Sequence, residues 1–162
     1  MTTTPDDDAC PLYTARVVND GGTSGHVRAA GGPSLPTASP FDAVPAEGSR
    51  AGADPEQLLG MTWSTCLNAT LEVVLAEAGI TARSRVCVEV ELHRERSGVG
   101  YRFVPRAAAA VEGLRPAQAR VHVEAAHARC PVSKLLTGAA DVSGGHPGPR
   151  VEAVEFSDLP AR

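Results

Sequence analysis

The hydrophobic pattern changes period several times along the chain. Residues 12–18, Leu-Tyr-Thr-Ala-Arg-Val-Val, alternate as a strand does, and Asn19-Asp-Gly-Gly22 is a hairpin signal, because Asp-Gly tolerates the positive φ of a tight turn. A return strand is expected over about 25–30. Residues 31–53 are rich in Gly, Pro, Ser and Ala without a sustained period, which predicts a long loop. The clearest helix follows. Asp54 suits the N-cap, Pro55 the first helical position and Gln57 the capping-box position, and Gly79 is the stop. From Leu58 to Leu75 this helix is apolar or small on nearly every face, so it is expected to be buried on most sides, as the central helix of the fold or of a dimer.

Arg85 to Leu92 alternate cleanly, predicting a half-buried antiparallel strand. Ser97-Gly-Val-Gly100 reads as a turn, and Tyr101–Val111 as the next strand, although its alanine run and Pro105 also fit a helix. A helix is predicted over Pro116–Arg129, interrupted by Cys130-Pro131, then a short helix from Pro131 to about Leu136. Residues 143–149 read as a loop and Val151–Phe156 as a closing strand. The order of strands, long helix, strands, helix, strand is that of an α+β fold with a mainly antiparallel sheet packed on a long central helix. The domain organisation expected is an acidic disordered tail over 1–11, one domain over 12–156 and a C-terminal tail over 157–162. The 31–53 loop is either a solvated linker or a cover over a site, since loops of that length are uncommon in compact domains.

Composition narrows the classes. Hydrophobic residues make up 43% of the 162 and aromatic residues 4%, so a core must be built from Val, Leu, Ile and Ala. Small side chains fill space only when elements pack closely or a subunit interface helps. A net charge of −4 gives no electrostatic reason to expect nucleic acid or an anionic membrane as partner. No stretch approaches the roughly 18 apolar residues of a membrane span. The Met1–Asp8 segment has neither a basic nor an apolar stretch of the secretory kind, so a cytoplasmic, reducing compartment is expected.

In such a compartment the four cysteines (Cys10, Cys66, Cys87 and Cys130) read as chemical or buried rather than as structural disulfides. Cys66 lies in an apolar helix, where a lone cysteine more often acts as a small hydrophobe. Cys130 precedes Pro131 and so falls at a helix N-cap, where free amides and the helix dipole favour a thiolate; Lys134 follows nearby. Cys87 sits on a strand in phase with Arg85 and Glu89, and neither it nor Cys10 is assigned a role. His122 and His127 lie about 140° apart on one helix and cannot share a metal ion; His26, His93 and His146 are scattered. No metal and no cofactor is expected.

Asp54-Pro-Glu-Gln-Leu58 with Cys66, and Ala125-Ala-His-Ala-Arg-Cys130-Pro-Val-Ser133, together resemble the organic hydroperoxide resistance (Ohr) and osmotically inducible protein C (OsmC) superfamily over about residues 12–156. The resemblance implies an intertwined homodimer and a thiol peroxidase. Cys66 would attack the peroxide and become a sulfenic acid, and Cys130 would condense with it to a disulfide. It also implies organic, lipid-like hydroperoxide substrates and a thiol reductant, lipoylated proteins in the Ohr branch. The family's thiolate is held by an arginine after the hairpin glycines, itself held by the glutamate of Pro-Glu-Gln, here Glu56. The matching position is Thr23, which cannot supply charge; Arg28 and Arg50 are the substitute cations considered. Glu56 and Cys66, ten residues apart, would lie about 15 Å apart on one straight helix, so any link between them needs an intermediary: a third residue, a helix break near Gly60 or the partner subunit. Cys66 and Cys130 must approach to a Cα separation of about 7 Å or less. Two other functions stand beside the peroxidase: a redox sensor or small-molecule binder that kept the pocket, and a Cys66–His127 hydrolase.

Overall fold

The computed structural model describes residues 11–43, 51–142 and 148–160, with side chains of the third helix described as far as Gly138. Residues 1–10 of the tail expected over 1–11, Cys10 among them, lie outside these residues, as do Arg50 and His146. The chain divides into two compact units, one ending at Pro55 and one beginning at Glu56.

The first unit carries a three-stranded antiparallel sheet, β1 (Val17–Asp20), β2 (His26–Ala29) and β3 (Ser34–Pro36), paired in that order. The register runs from Val17↔Ala29 to Asp20↔His26, and from His26↔Pro36 to Arg28↔Ser34. β1 starts at Val17, later than the expected strand over 12–18; Leu12 and Tyr13 lie outside it and are exposed. The connection is wider than a two-residue turn. Gly21 and Gly22 take positive φ (87° and 61°), and a 3₁₀ turn covers Gly22–Ser24. Asn19 staples it, donating from Nδ2 to Gly22 O and accepting the Gly22 N–H, both at 2.9 Å. The expected structureless stretch over 31–53 therefore contains β3, too short to show a period, and a bridge between Thr37 and Ala53.

The second unit holds α1 (Pro55–Glu77), β4 (Ser84–Arg94), β5 (Tyr101–Val111), α2 (Pro116–Arg129), α3 (Pro131–Val142) and β6 (Arg150–Ala153). β4 and β5 form a hairpin of eleven paired positions, from Ser84↔Val111 to Arg94↔Tyr101. β6 joins the other edge of β5 in parallel, Arg106↔Arg150 to Ala109↔Ala153. The sheet is thus mainly antiparallel, as expected, with one parallel pairing at this edge, and α2 and α3 lie in the crossover such a pairing requires. Pro105 is tolerated because it stands just before the segment where β6 begins to pair. α3 extends past Leu136, the expected end. β6 is shorter than the expected 151–156, and a 3₁₀ turn takes over at Phe156–Asp158. Leu159, expected in a tail, is buried, and its carbonyl accepts from Arg85 Nη1 at 3.0 Å.

α1 ends on a glycine-based cap: Gly79 (φ 70°) donates to Ala76 O, and Ile80 N–H reaches back to Leu75 O at 2.9 Å. Its inward stripe is Trp63, Leu67, Leu71, Val74 and Leu75. The stripe packs with Ala107, Ala109 and Val111 of β5 and Ala119, Val123 and Ala126 of α2. Alanines on the opposing elements let the larger α1 side chains sit close to the sheet, which is how a chain with few aromatics reaches core density. Met61 and Val73 are exposed, so in the single chain α1 buries one face and not most of its sides, a correction to the expectation. By length and hydropathy α1 also passes as a membrane span, contrary to the sequence reading, but this stripe occupies the protein core.

Candidate active site

Cys66 sits in the middle of α1, one position before the inward Leu67, and is half-buried. Cys130 occupies the junction between α2 and α3, in extended conformation (φ −63°, ψ 122°), and is fully buried. Pro131 fixes that junction: it cannot donate a helical hydrogen bond, so α2 stops and α3 starts anew. The two sulfurs, 64 residues apart in sequence, lie 3.4 Å from one another, with Cys130 Sγ placed to donate to Cys66 Sγ. Both are free thiols.

The surroundings treat the sulfurs differently. At Cys66 burial pushes the thiol pKa up, one amide (Val132) works against that, and the neighbouring Cys130 adds to the rise; the net direction is upward. Burial also opposes ionisation at Cys130. There the Ser133 amide and hydroxyl, the Cys66 thiol and the Val132 amide outweigh it, and the net direction is downward. The physical cause is position. An N-cap side chain faces amides that have no partner within the helix, whereas a mid-helix side chain does not. Behind the pair, Trp63 Nε1 donates to Ser133 Oγ at 2.9 Å, both side chains fully buried.

The other candidates are placed as follows. Glu56 is in the first turn of α1, and its Oε2 is buried without a hydrogen-bond partner among the described residues. α1 runs unbroken through Gly60, so a helix break does not bring Glu56 and Cys66 together. Arg28 is an exposed residue of β2 in the first unit, opposite Val18 and Ser34. Thr23 belongs to the 3₁₀ turn of the hairpin. Lys134 is exposed, and only its amide meets Cys130, through the carbonyl at 3.0 Å. His127 lies on α2 with Nδ1 buried and without a partner among the described residues, so that atom does not serve Cys66 as a base. No cluster of three metal-ligating side chains occurs among the described residues. Cys87 is half-buried on the face of the sheet opposite Val86 and Val88. A groove of about 1180 Å³ in the second unit is lined by α1 residues such as Ser64 and Asn68 with Arg83 and Arg85 of the β4 side, and neither sulfur lines it.

Two residues of this arrangement escape a sequence reading aimed at catalysis. Trp63 reads as core, and Ser133 as part of a motif. The available signals were spacing: Trp63 stands one helical turn before Cys66, and Ser133 three positions after an N-cap cysteine, where a side chain reaches back toward the cap.

Comparison with known proteins identifies the family and the fold. A family model described as OsmC-like protein matches residues 47–143. The organic hydroperoxide resistance protein OhrB of Bacillus subtilis is 31% identical over 134 residues, 81% of this chain and 95% of that protein. Its crystal structure superposes with a TM-score of 0.71, at 28% identity over 90% of this chain and 99% of that one. An organic hydroperoxide resistance protein OsmC from Legionella pneumophila gives a TM-score of 0.69 at 25% identity, covering 90% and 98%. With a matching family model over more than half its length and the same architecture in solved relatives, the chain belongs to the OsmC-like family, on the side of the organic hydroperoxide resistance proteins.

Proposed function

We propose that the protein is a cofactor-free cysteine peroxidase that reduces organic, lipid-like hydroperoxides to alcohols. Cys66 attacks the peroxide and becomes a sulfenic acid; Cys130 condenses with it to a disulfide, which an external thiol reductant, a lipoylated protein or a small dithiol, then opens. The observation that carries this reading is the 3.4 Å separation of two free thiols brought together from distant segments. The apolar residues around them suit a greasy substrate, and the relatives' names point to organic hydroperoxide resistance. Glu56 keeps the family's carboxylate, and Arg28 is the candidate cation for the thiolate in place of Thr23. The exposed apolar residues of α1, Met61 and Val73, and of β1, Val17 and Val18, support a homodimer in which a second copy covers them.

A second reading, a redox sensor or small-molecule binder of little turnover, is favoured by one observation: the buried Glu56 Oε2 has no partner among the described residues. Stopped-flow mixing with cumene hydroperoxide, with and without dihydrolipoamide, separates the two. Fast stoichiometric oxidation with turnover, lost in Cys66→Ser, supports the peroxidase. Slow oxidation without turnover supports the sensor. An unchanged rate in Arg28→Ala removes Arg28 from the site, and sedimentation velocity tests the dimer.

A further inference from the structure

Two ties join α1 to the corner where α2 ends and α3 begins, one on each side of the sulfurs. The first is buried. Trp63 Nε1 donates to Ser133 Oγ at 2.9 Å, with both side chains fully enclosed. Trp63 stands three residues before Cys66, and Ser133 three residues after Cys130. The second lies at the surface. Arg129 Nη1 and Nη2 donate to the two carboxylate oxygens of Glu77 at 2.6 and 2.9 Å, a two-pronged ion pair. Glu77 stands eleven residues after Cys66 on the same helix, and Arg129 immediately precedes Cys130. At 1.5 Å per residue the ties fall about 4.5 Å before and about 16 Å beyond Cys66 along α1. The two segments therefore meet in opposite order: Trp63 with Ser133, Cys66 with Cys130, Glu77 with Arg129. The main-chain bonds of Cys130, its N–H to Ala126 O at 2.8 Å and its carbonyl to the Lys134 N–H at 3.0 Å, stay within α2 and α3. They shape the corner, and the side chains place it against α1.

We propose that these two ties form a clamp that holds Cys130 within reach of Cys66, so that disulfide formation wins over further oxidation of Cys66. The inference rests on the peroxidase reading and deepens it. Once Cys66 is a sulfenic acid, two reactions compete for its sulfur. In the first, the Cys130 sulfur attacks; the S–S bond forms, the S–O bond breaks, and the oxygen leaves as water with the sulfenic and thiol protons. In the second, another hydroperoxide molecule oxidises the sulfenic acid by two electrons. Its terminal oxygen passes to sulfur, its O–O bond breaks, and a sulfinic acid and an alcohol result. The second reaction speeds up with peroxide concentration. The first does not, and depends on the effective concentration of Cys130 at Cys66, which a fixed 3.4 Å approach makes high. Trp63, Ser133, Glu77 and Arg129 are positioning residues; none touches the peroxide in this scheme.

Two readouts test the clamp. One is the ratio of disulfide to sulfinic acid at Cys66, by peptide mass spectrometry, over a series of cumene hydroperoxide concentrations. The other uses no peroxide: the equilibrium constant of the Cys66–Cys130 disulfide in dithiothreitol redox buffers, which reads the effective concentration of the pair. Ser133→Ala leaves the buried indole N–H without its acceptor, and is expected to lower both the ratio and the constant by about tenfold. Glu77→Gln and Arg129→Gln are expected to lower both by about two- to fivefold, the range of an exposed ion pair. The exchanged pair, Glu77→Arg with Arg129→Glu, should recover most of that loss. A merely structural role would lower the melting temperature and leave the product ratio alone. An unchanged ratio in both Ser133→Ala and Arg129→Gln therefore overturns the inference. If Ser133→Ala does not fold, the surface pair and its exchange decide: a loss that the exchange restores supports the clamp, and no loss overturns it. If the wild type itself is not oxidised by the hydroperoxide, the peroxidase reading has failed. The redox-buffer constants then decide alone, a fall in the variants supporting the clamp and no change overturning it.

Discussion

Oxidation of the cysteine pair should stabilise the fold by an amount that the chain connectivity sets. A Cys66–Cys130 bond closes a loop spanning 64 residues of sequence. Loop-closure entropy removed from the unfolded chain then amounts to about 4 kcal/mol at 25 °C. Native-state strain should subtract little, because sulfurs at 3.4 Å need to close only to about 2 Å. For a chain of this size 1 kcal/mol moves the thermal midpoint by about 2–4 °C, so the oxidised protein should melt about 8–16 °C higher. Trp63, the single tryptophan and fully buried, reports unfolding by fluorescence. The assay is urea and thermal unfolding of peroxide-treated and fully reduced protein at one protein concentration, with peptide mapping of the linkage. A mapped linkage with no gain in stability would refute the loop-closure reasoning. Failure to find the linkage under any oxidant would refute the reading of the pair itself.

Three further outcomes follow from the same structure. Leu67→Ala should cost about 3–5 kcal/mol by urea unfolding, because the facing residues Ala107, Ala109 and Ala126 are too small to refill the cavity; a loss under about 1 kcal/mol would contradict the packing described. Gly79→Ala should cost about 1 kcal/mol, since its φ of 70° is one that L residues reach only under strain, and an unchanged denaturation midpoint would dismiss that cap. His127 has its pKa lowered by burial from the ordinary 6.5, so the unfolded chain takes up the proton first; stability is complete above that value and falls as pH is lowered through it. His127→Gln should flatten that fall, and an equally steep decline in the variant would exclude His127 as its source.

The helices and long strands were legible because each carries its own punctuation. Pro55 and Gly79 bracket α1, and Pro116 and Pro131 open α2 and α3, so these boundaries follow from local sterics. The β5 strand was readable from Tyr101 to Val111 despite the alanine run, since β4 supplies a full-length partner. What stayed hidden depends on partners distant in sequence. β3 is three residues long and exists only through its pairing with β2. The parallel seat of β6 is decided by the α2–α3 crossover and by nothing within residues 150–153. At the site, Cys66 and Cys130 could be named from their motifs, but the Trp63–Ser133 bond joins residues 70 positions apart and no periodicity announces it. The apolar surface of α1 left open whether it is central to one chain or to a dimer, and the exposure of Met61 and Val73 shows that the single chain leaves part of it uncovered.

The mounting of the two sulfurs has a mechanical consequence. One is fixed to a rod, a 23-residue helix pinned along its length by core side chains. The other sits at a corner, where a proline ends one helix and starts the next. A bond between the two would tie a continuous helix to the break between two others, and would so brace the α2–α3 corner against α1.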